Sequence, residues 1–269
     1  MAAGATSDSK PVLWQLSISH YNEKARWALD YKGVDHVRRS PLPGGHMAIA
    51  LWLTRGASTL VPILQIDGET ITDSTAIIAA LEARYPEPPL YPADPELRRK
   101  ALELEDYFDE QLGPAARLLA FHELINEPEI FAQVAAEAVP GPLGKMKKVT
   151  GIYASTYTSL RWKASSEEGA EEARAKIVAA MDVVDAELAA GDGEFLVGDS
   201  FSVADVTAAS LFYPVVGPDE GPLPPGQPVP PNLERFREEL STRPAFNWVK
   251  ETFRRHRHSH PPVSSAISG

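Results

Sequence analysis

Cysteine is absent from the 269 residues, so the chain forms no disulfide and no thiolate metal site, and it has no thiol nucleophile of its own. Any sulfur nucleophile must arrive as a ligand. An excess of cations is lacking too: the formal net charge is −11. That argues against general nucleic-acid affinity, which needs clustered cations facing phosphates. No apolar run approaches the roughly 20 residues needed to span a bilayer. Residues 1–10 have no apolar core and do not read as a secretory signal; we take them as a disordered lead and expect a cytoplasmic protein. Repeats of fixed period are missing as well. Length and hydrophobic content admit one large domain or two ordinary ones, with a sizeable core.

What is present is organised around Val12 to Leu29. Val12–Leu16 has the length and composition of a buried strand. Ala25, Ala28 and Leu29, with Trp27 and Tyr31, then form the apolar stripe of a helix packed on a sheet. The turn between them sets Ser19 at a helix N-terminus, where unpaired N–H groups and the macrodipole favour an anion. A thiolate is the anion that most needs such help, because a free thiol with pKa about 8.5 is mostly protonated at neutral pH. Without a nearby base, Ser19 itself is a poor nucleophile.

Further along, His36–Arg39 reads as a short strand and Met47–Leu53 as a packed helix, giving a β-α-β-α order and a parallel first strand pair. Leu60–Ile66, Asp67-Gly68 and Glu69–Thr72 spell a hairpin, with Pro62 confined to a strand start or edge. Asp73-Ser74 opens a helix that ends before Tyr85-Pro86. Glu87–Pro95 is a stiff proline-rich connector. Beyond it helical spacing dominates. Leu104, Phe108, Leu112, Ala115 and Leu119 predict one long helix, and helical pieces are expected at 127–138 and 145–164. Ile177, Met181, Val184 and Leu188 predict a helix ending at Gly191. Ser202 and Asp205 form a capping box, with Phe201 and Val206 as its hydrophobic staple, so Asp205 is assigned to structure. Pro214–Pro231 is expected to be a loop, Asn232–Leu240 and Pro244–Arg255 the last helices, and Arg254–Gly269, with His256, His258 and His260, a frayed solvated tail.

Three motifs carry a resemblance. Ser19-His20-Tyr21-Asn22-Glu23-Lys24-Ala25-Arg26 resembles the active-site turn of glutathione S-transferases. Val61-Pro62, the hairpin and Asp73-Ser74-Thr75-Ala76-Ile77 match that family's next motifs in order and approximate spacing. The resemblance, to a serine-type, bacterial-like and cysteine-free member, spans roughly Val12 to Phe253. It implies a thioredoxin-like glutathione-binding domain over 11–86, a linker over 87–95, an all-helical domain over 96–255 and a flexible tail over 256–269.

By the same resemblance, Ser19 donates a hydrogen bond to the glutathione thiolate. Val61 pairs through its backbone with the cysteinyl unit, across a cis Val61–Pro62 bond. Ser74 holds the γ-glutamyl carboxylate, and Asp73 assists at the ammonium. Tyr21 competes for the donor role and Asn22 stands in reserve; His20 replaces the family's frequent proline. The expected acceptor pocket lies between the domains, with Tyr21, Tyr107, Phe108, Leu112 and Phe121 as candidate lining residues. Leu60 stands where many relatives carry a lysine for the peptide's terminal carboxylate; Arg55 or His46 are the possible substitutes. The implied function is a transferase that activates glutathione for attack on a hydrophobic electrophile, as a homodimer and without a metal. The other reading is a non-catalytic relative that carries an apolar ligand in the cleft.

Overall fold

The computed structural model describes residues 10–42, 44–138, 164–191 and 193–257. Its first half is a four-stranded sheet, order β2-β1-β3-β4, built from β1 (Val12–Trp14), β2 (Val37–Arg39), β3 (Ile63–Ile66) and β4 (Glu69–Thr72). β1 runs parallel to β2 and antiparallel to β3, pairing Leu13 with Leu64, and β3–β4 is the expected hairpin. Asp67 and Gly68 both have positive φ, 50° and 81°, as a two-residue turn matched to strand twist requires.

The helices α1 (His20–Tyr31), α2 (Gly45–Leu53) and α3 (Ser74–Arg84) complete this thioredoxin-like domain. The predicted first strand is two residues too long. Gln15 still gives its amide to the Arg39 carbonyl of β2 (2.9 Å), but Leu16 belongs to the turn into α1, its carbonyl accepting from the Ser19 amide (3.1 Å).

Asp94 caps α4 (Pro95–Tyr107), accepting from the amides of Glu96 and Leu97. The single long helix expected here is broken: a π turn at Phe108–Leu112 separates α4 from α5 (Gly113–Ile125). Pro114 has no N–H to give and its ring crowds the carbonyl four residues back, so the backbone widens there. α6 (Pro128–Ala138) follows; the helical piece predicted for 145–164 lies almost entirely outside the described residues. α7 (Glu167–Ala190) buries Ile177, Met181, Val184 and Leu188, as their spacing predicts, and ends at Gly191.

The core helix of this domain, α8 (Val203–Val216), is buried along nearly its whole length and starts at the Ser202–Asp205 capping box. Asp205 accepts from the amides of Leu196 and Ser202, and burial pushes its pKa up to about 6. α8 continues through Pro214, so the loop predicted from that proline begins at Gly217 (φ 64°). α9 (Pro231–Leu240) and α10 (Pro244–His256) close the fold. The frayed tail predicted from Arg254 is replaced by the last turn of α10, and the Arg257 side chain is nearly buried against α1. A run of basic and histidine residues suggested solvent, but α1 offers it buried carboxylates. His258 and His260 lie outside the described residues.

One core runs through both halves, because Trp27 of α1 packs its ring on Phe201 and Phe253. Among the described residues no helix is long and apolar enough to cross a membrane.

Candidate active site

A cleft of about 1040 Å³ opens between the sheet domain and the helices. Ser19, the N-cap of α1, lines it. Its backbone is extended (φ −80°, ψ 129°) and its hydroxyl does not cap the helix. The serine oxygen is therefore available where N–H groups converge. Facing it across the cleft are Val61 and Pro62, whose peptide bond is cis, and Asp73 and Ser74 at the start of α3. The Val61 carbonyl accepts from Asn22 Nδ2 at 3.4 Å. Asp73 takes φ 75°, a region uncommon for a residue with a side chain. Its Oδ1 accepts from the amides of Thr75 and Ala76 (2.9 and 3.3 Å), which holds the strained residue in place and leaves the Ser74 N–H as the first unpaired donor of α3. Ser74 is buried.

The competing donors are already committed. Tyr21 gives its hydroxyl hydrogen bond to the Asp109 carbonyl at 2.7 Å, and burial raises its pKa far above the ordinary phenol value. Asn22, buried, bonds through Oδ1 to the Leu16 amide (3.3 Å) as well as to Val61. His20 is buried and its Nε2 lies 2.9 Å from the Gly113 carbonyl, so that nitrogen carries the proton. Burial, with Arg117 nearby, pulls its pKa down to about 3. The ring is a neutral clamp between domains and has no basic role near neutral pH. His46, also buried, accepts at Nδ1 from the Gly44 amide (2.9 Å) and its pKa is lowered by burial; it offers no cation for a carboxylate. Arg55 does not line the cleft.

The helical wall differs from the expected one. Phe108 and Leu112 are fully buried in the core and Tyr107 packs at its margin; none of the three reaches the cleft. Helical spacing correctly puts Phe108 and Leu112 on one face, but that face meets α8, where Phe108 contacts Phe212 at a ring separation of 6.3 Å. The π turn gives the cleft Asp109 and Glu110 instead, and α5 gives it Arg117 beside Phe121, which was expected there, as was Tyr21 of α1. Arg117 was not legible as a site residue; it lies over the Tyr21 ring at 5.9 Å. An apolar pocket of Phe121, Leu124, Phe131, Val134 and Leu223 closes the far end, with the 217–230 loop as one wall.

Beneath the site, Lys24 is wholly buried, 2.8 Å from Glu105 and 2.6 Å from Asp109, and it donates to Thr75 Oγ1 at 2.9 Å. This ion cluster ties α1, α3 and the α4–π segment together. Burial raises the pKa of Glu105, with Lys24 only partly opposing it.

Two family models cover most of this architecture. Residues 13–89 match the glutathione S-transferase N-terminal domain and residues 143–244 match the glutathione S-transferase C-terminal domain. The chain belongs to the glutathione S-transferase family.

Within that family, a relative from Caenorhabditis elegans named as a probable maleylacetoacetate isomerase is 24% identical over 246 residues, 91% of this chain and 89% of that protein. Maleyl pyruvate isomerase, described as a bacterial glutathione S-transferase in zeta class, superposes with a TM-score of 0.57 at 20% identity, covering 90% of this chain and 91% of that one. A glutathione S-transferase of Methylobacterium radiotolerans in complex with glutathione sulfonate superposes with a TM-score of 0.50 at 23% identity, covering 89% and 93%. At these identities the likeness of structures establishes the fold.

As a glutathione S-transferase the chain departs from expectation mainly on its helical side. The residues expected to meet the thiol ligand, Ser19, Val61, Pro62, Asp73 and Ser74, all border one cleft. Among the described residues no cluster of three or more His, Asp or Glu side chains is arranged to hold a metal ion.

Proposed function

We propose that the cleft binds glutathione, lowers the pKa of its thiol, and directs the thiolate at a hydrophobic electrophile held in the apolar pocket. The Ser19 hydroxyl carries this reading: it stands at the start of α1, is not used to cap it, and opens on the same cleft as Val61, Pro62 and Ser74. A preorganised donor at a helix start favours the charged sulfur. Val61 pairs through its backbone with the cysteinyl unit. Ser74, with its hydroxyl and N–H, takes the γ-glutamyl carboxylate, and Asp73 meets the ammonium. Catalysis is pKa lowering plus proximity, with no covalent enzyme intermediate.

The relatives named as maleylacetoacetate isomerases favour a second outcome of the same chemistry. A thiolate that adds to a conjugated cis double bond leaves a single bond free to rotate. Expulsion of the thiolate then returns the trans isomer with glutathione unchanged, whereas release of the adduct is net transfer. We further propose a cytoplasmic homodimer; sedimentation showing only the monomer mass at micromolar concentration overturns the dimer.

Calorimetric titration with glutathione, followed by product analysis with an aromatic electrophile and with a cis-enone acid, tests the function. Binding with turnover of either supports it. Binding without turnover of any electrophile moves the protein to the carrier reading, and no binding at all refutes the glutathione site.

A further inference from the structure

The last described residue of the chain touches the helix that starts at Ser19. Arg257 Nε lies 2.5 Å from Glu23 Oε1, and its other arm lies 2.7 Å from Asp30 Oδ2. Glu23 passes the contact on: its Oε2 accepts from Arg26 Nε at 2.7 Å. Arg26 in turn reaches the end of β1, donating through NH1 to Gln15 Oε1 (2.8 Å) and to the Leu16 carbonyl (3.4 Å). That carbonyl also accepts the Ser19 amide at 3.1 Å. The chain of contacts Arg257, Glu23, Arg26, Leu16, Ser19 is unbroken, and all three ionic side chains are almost entirely shielded from water.

From this geometry we propose that Arg257 is a positioning residue for the Ser19 turn, acting through Glu23 and Arg26. The inference rests on the glutathione reading only for its consequence in rate; the mechanical link stands without it. The physical argument lies in how Arg26 divides its donors. Glu23 is shared, one oxygen to each arginine, so Arg26 spends only Nε on it and keeps NH1 for the strand end. Arg26 NH2 has no hydrogen-bond partner. Removing Arg257 leaves a buried carboxylate oxygen unpaired, which is costly. The nearest remedy is for Arg26 to turn its fork fully onto Glu23, the bidentate geometry guanidinium groups favour. The edge that closes on both oxygens is Nε with the unpartnered NH2, and drawing the guanidinium toward Glu23 pulls NH1 off its long 3.4 Å contact with Leu16, which loosens the carbonyl on which the Ser19 amide hangs.

Neighbouring contacts hold Arg257 where it is needed. The His256 ring stacks on Phe201 at 4.6 Å, and the His256 carbonyl accepts from Trp27 Nε1 at 3.2 Å. Asp30 is braced from its other side by Arg38 at 2.5 Å. Arg257 thus arrives on a fixed helix end and meets carboxylates that are themselves fixed.

The experiment compares the full-length parent with Arg257→Met and Arg257→Lys by amide hydrogen exchange and steady-state kinetics. For Arg257→Met we expect exchange across Leu16–Asn22 to rise about tenfold while Phe246–Phe253 of α10 stays protected. Where glutathione conjugation is measurable, kcat should fall by about tenfold to a hundredfold with glutathione affinity nearly unchanged, as displacement of a reacting group predicts. Arg257→Lys should recover part of both effects, since a single ammonium cannot bridge both carboxylates as the fork does. Unchanged exchange across Leu16–Asn22, or a rise spread equally over α10 and α8, overturns the proposal and leaves Arg257 as a docking contact only. If Arg257→Met does not fold, Arg257→Lys against the parent decides by the same exchange criterion. A parent without thiol chemistry refutes the glutathione reading alone, because the exchange comparison still tests the link.

Discussion

His20 Nε2 lies 2.9 Å from the carbonyl of Gly113, so the residue next to Ser19 is fastened to the first residue of α5, on the opposite wall of the cleft. Glycine at position 113 is what permits this closeness. A Cβ there would come within 2.2 Å of the Tyr21 hydroxyl and 2.6 Å of its ring carbon Cζ. Two cross-domain bonds, His20 to Gly113 and Tyr21 to Asp109, therefore depend on one missing side chain.

Gly113→Ala should lower stability by about 2–3 kcal/mol, the usual cost of overpacking a tight contact. Tyr21→Phe should not rescue it, because the ring carbon clashes as well as the oxygen. Tyr21→Leu should, since it vacates the space. Thermal unfolding of the two double variants checks this; equal rescue by both would show that the hydroxyl alone made the clash.

His20 should make stability depend on pH in a predictable direction. Its folded pKa of about 3 lies below the ordinary 6.5, so between these values the unfolded chain binds the extra proton. Stability is then full above about pH 6.5 and falls as pH drops towards 3, by on the order of 5 kcal/mol. His20→Gln keeps a donor for Gly113 and should remove this component. Urea unfolding of both proteins from pH 7 to 4 measures it, and identical slopes would mean that His20 does not titrate in the unfolded chain alone.

Ser19→Ala should raise the pKa of bound glutathione and slow conjugation at neutral pH, by up to about 10²–10³, the cost of losing a preorganised donor. Activity should partly recover as pH rises towards the free-thiol value, and glutathione affinity should change little. Tyr21→Phe, whose hydroxyl already serves Asp109, should keep the parent profile. A collapsed profile in Tyr21→Phe beside an unchanged one in Ser19→Ala would transfer the role to Tyr21.

Lys24→Met should destabilise the fold by about 3–5 kcal/mol, because it leaves Glu105 and Asp109 buried beside each other without a cation. Adding Glu105→Gln should recover much of the loss. Chemical denaturation of the single and double variants decides; a double variant no better than the single would locate the damage in lost packing of the lysine stem.

Local chemistry was enough to read much of this protein from its residues. The missing cysteines require any sulfur nucleophile to arrive as a ligand. Asp67-Gly68, the Ser202–Asp205 box and the spacing of Ile177, Met181, Val184 and Leu188 each express a preference of a few adjacent turns, and the structure contains all three elements. Capping signals likewise mark the helix starts at which Ser19 and Ser74 stand, whereas the roles proposed for them at a thiol ligand come from the family resemblance. What only the tertiary structure decided is which face meets which partner. Phe108 and Leu112 share a stripe, but whether it faces α8 or the cleft depends on how whole helices pack. The same packing brings Arg117 and Asp109 to the cleft. Lys24 becomes a buried ion because α3 brings it the Thr75 hydroxyl and α4 the Glu105 carboxylate, partners that spacing along α1 does not reveal. Arg257, in a stretch that reads as solvated tail, pairs with Glu23 across 234 residues of sequence. Periodicity records an angle around one helix axis and carries no information about so distant a partner; that contact exists only once the core around Trp27 has closed.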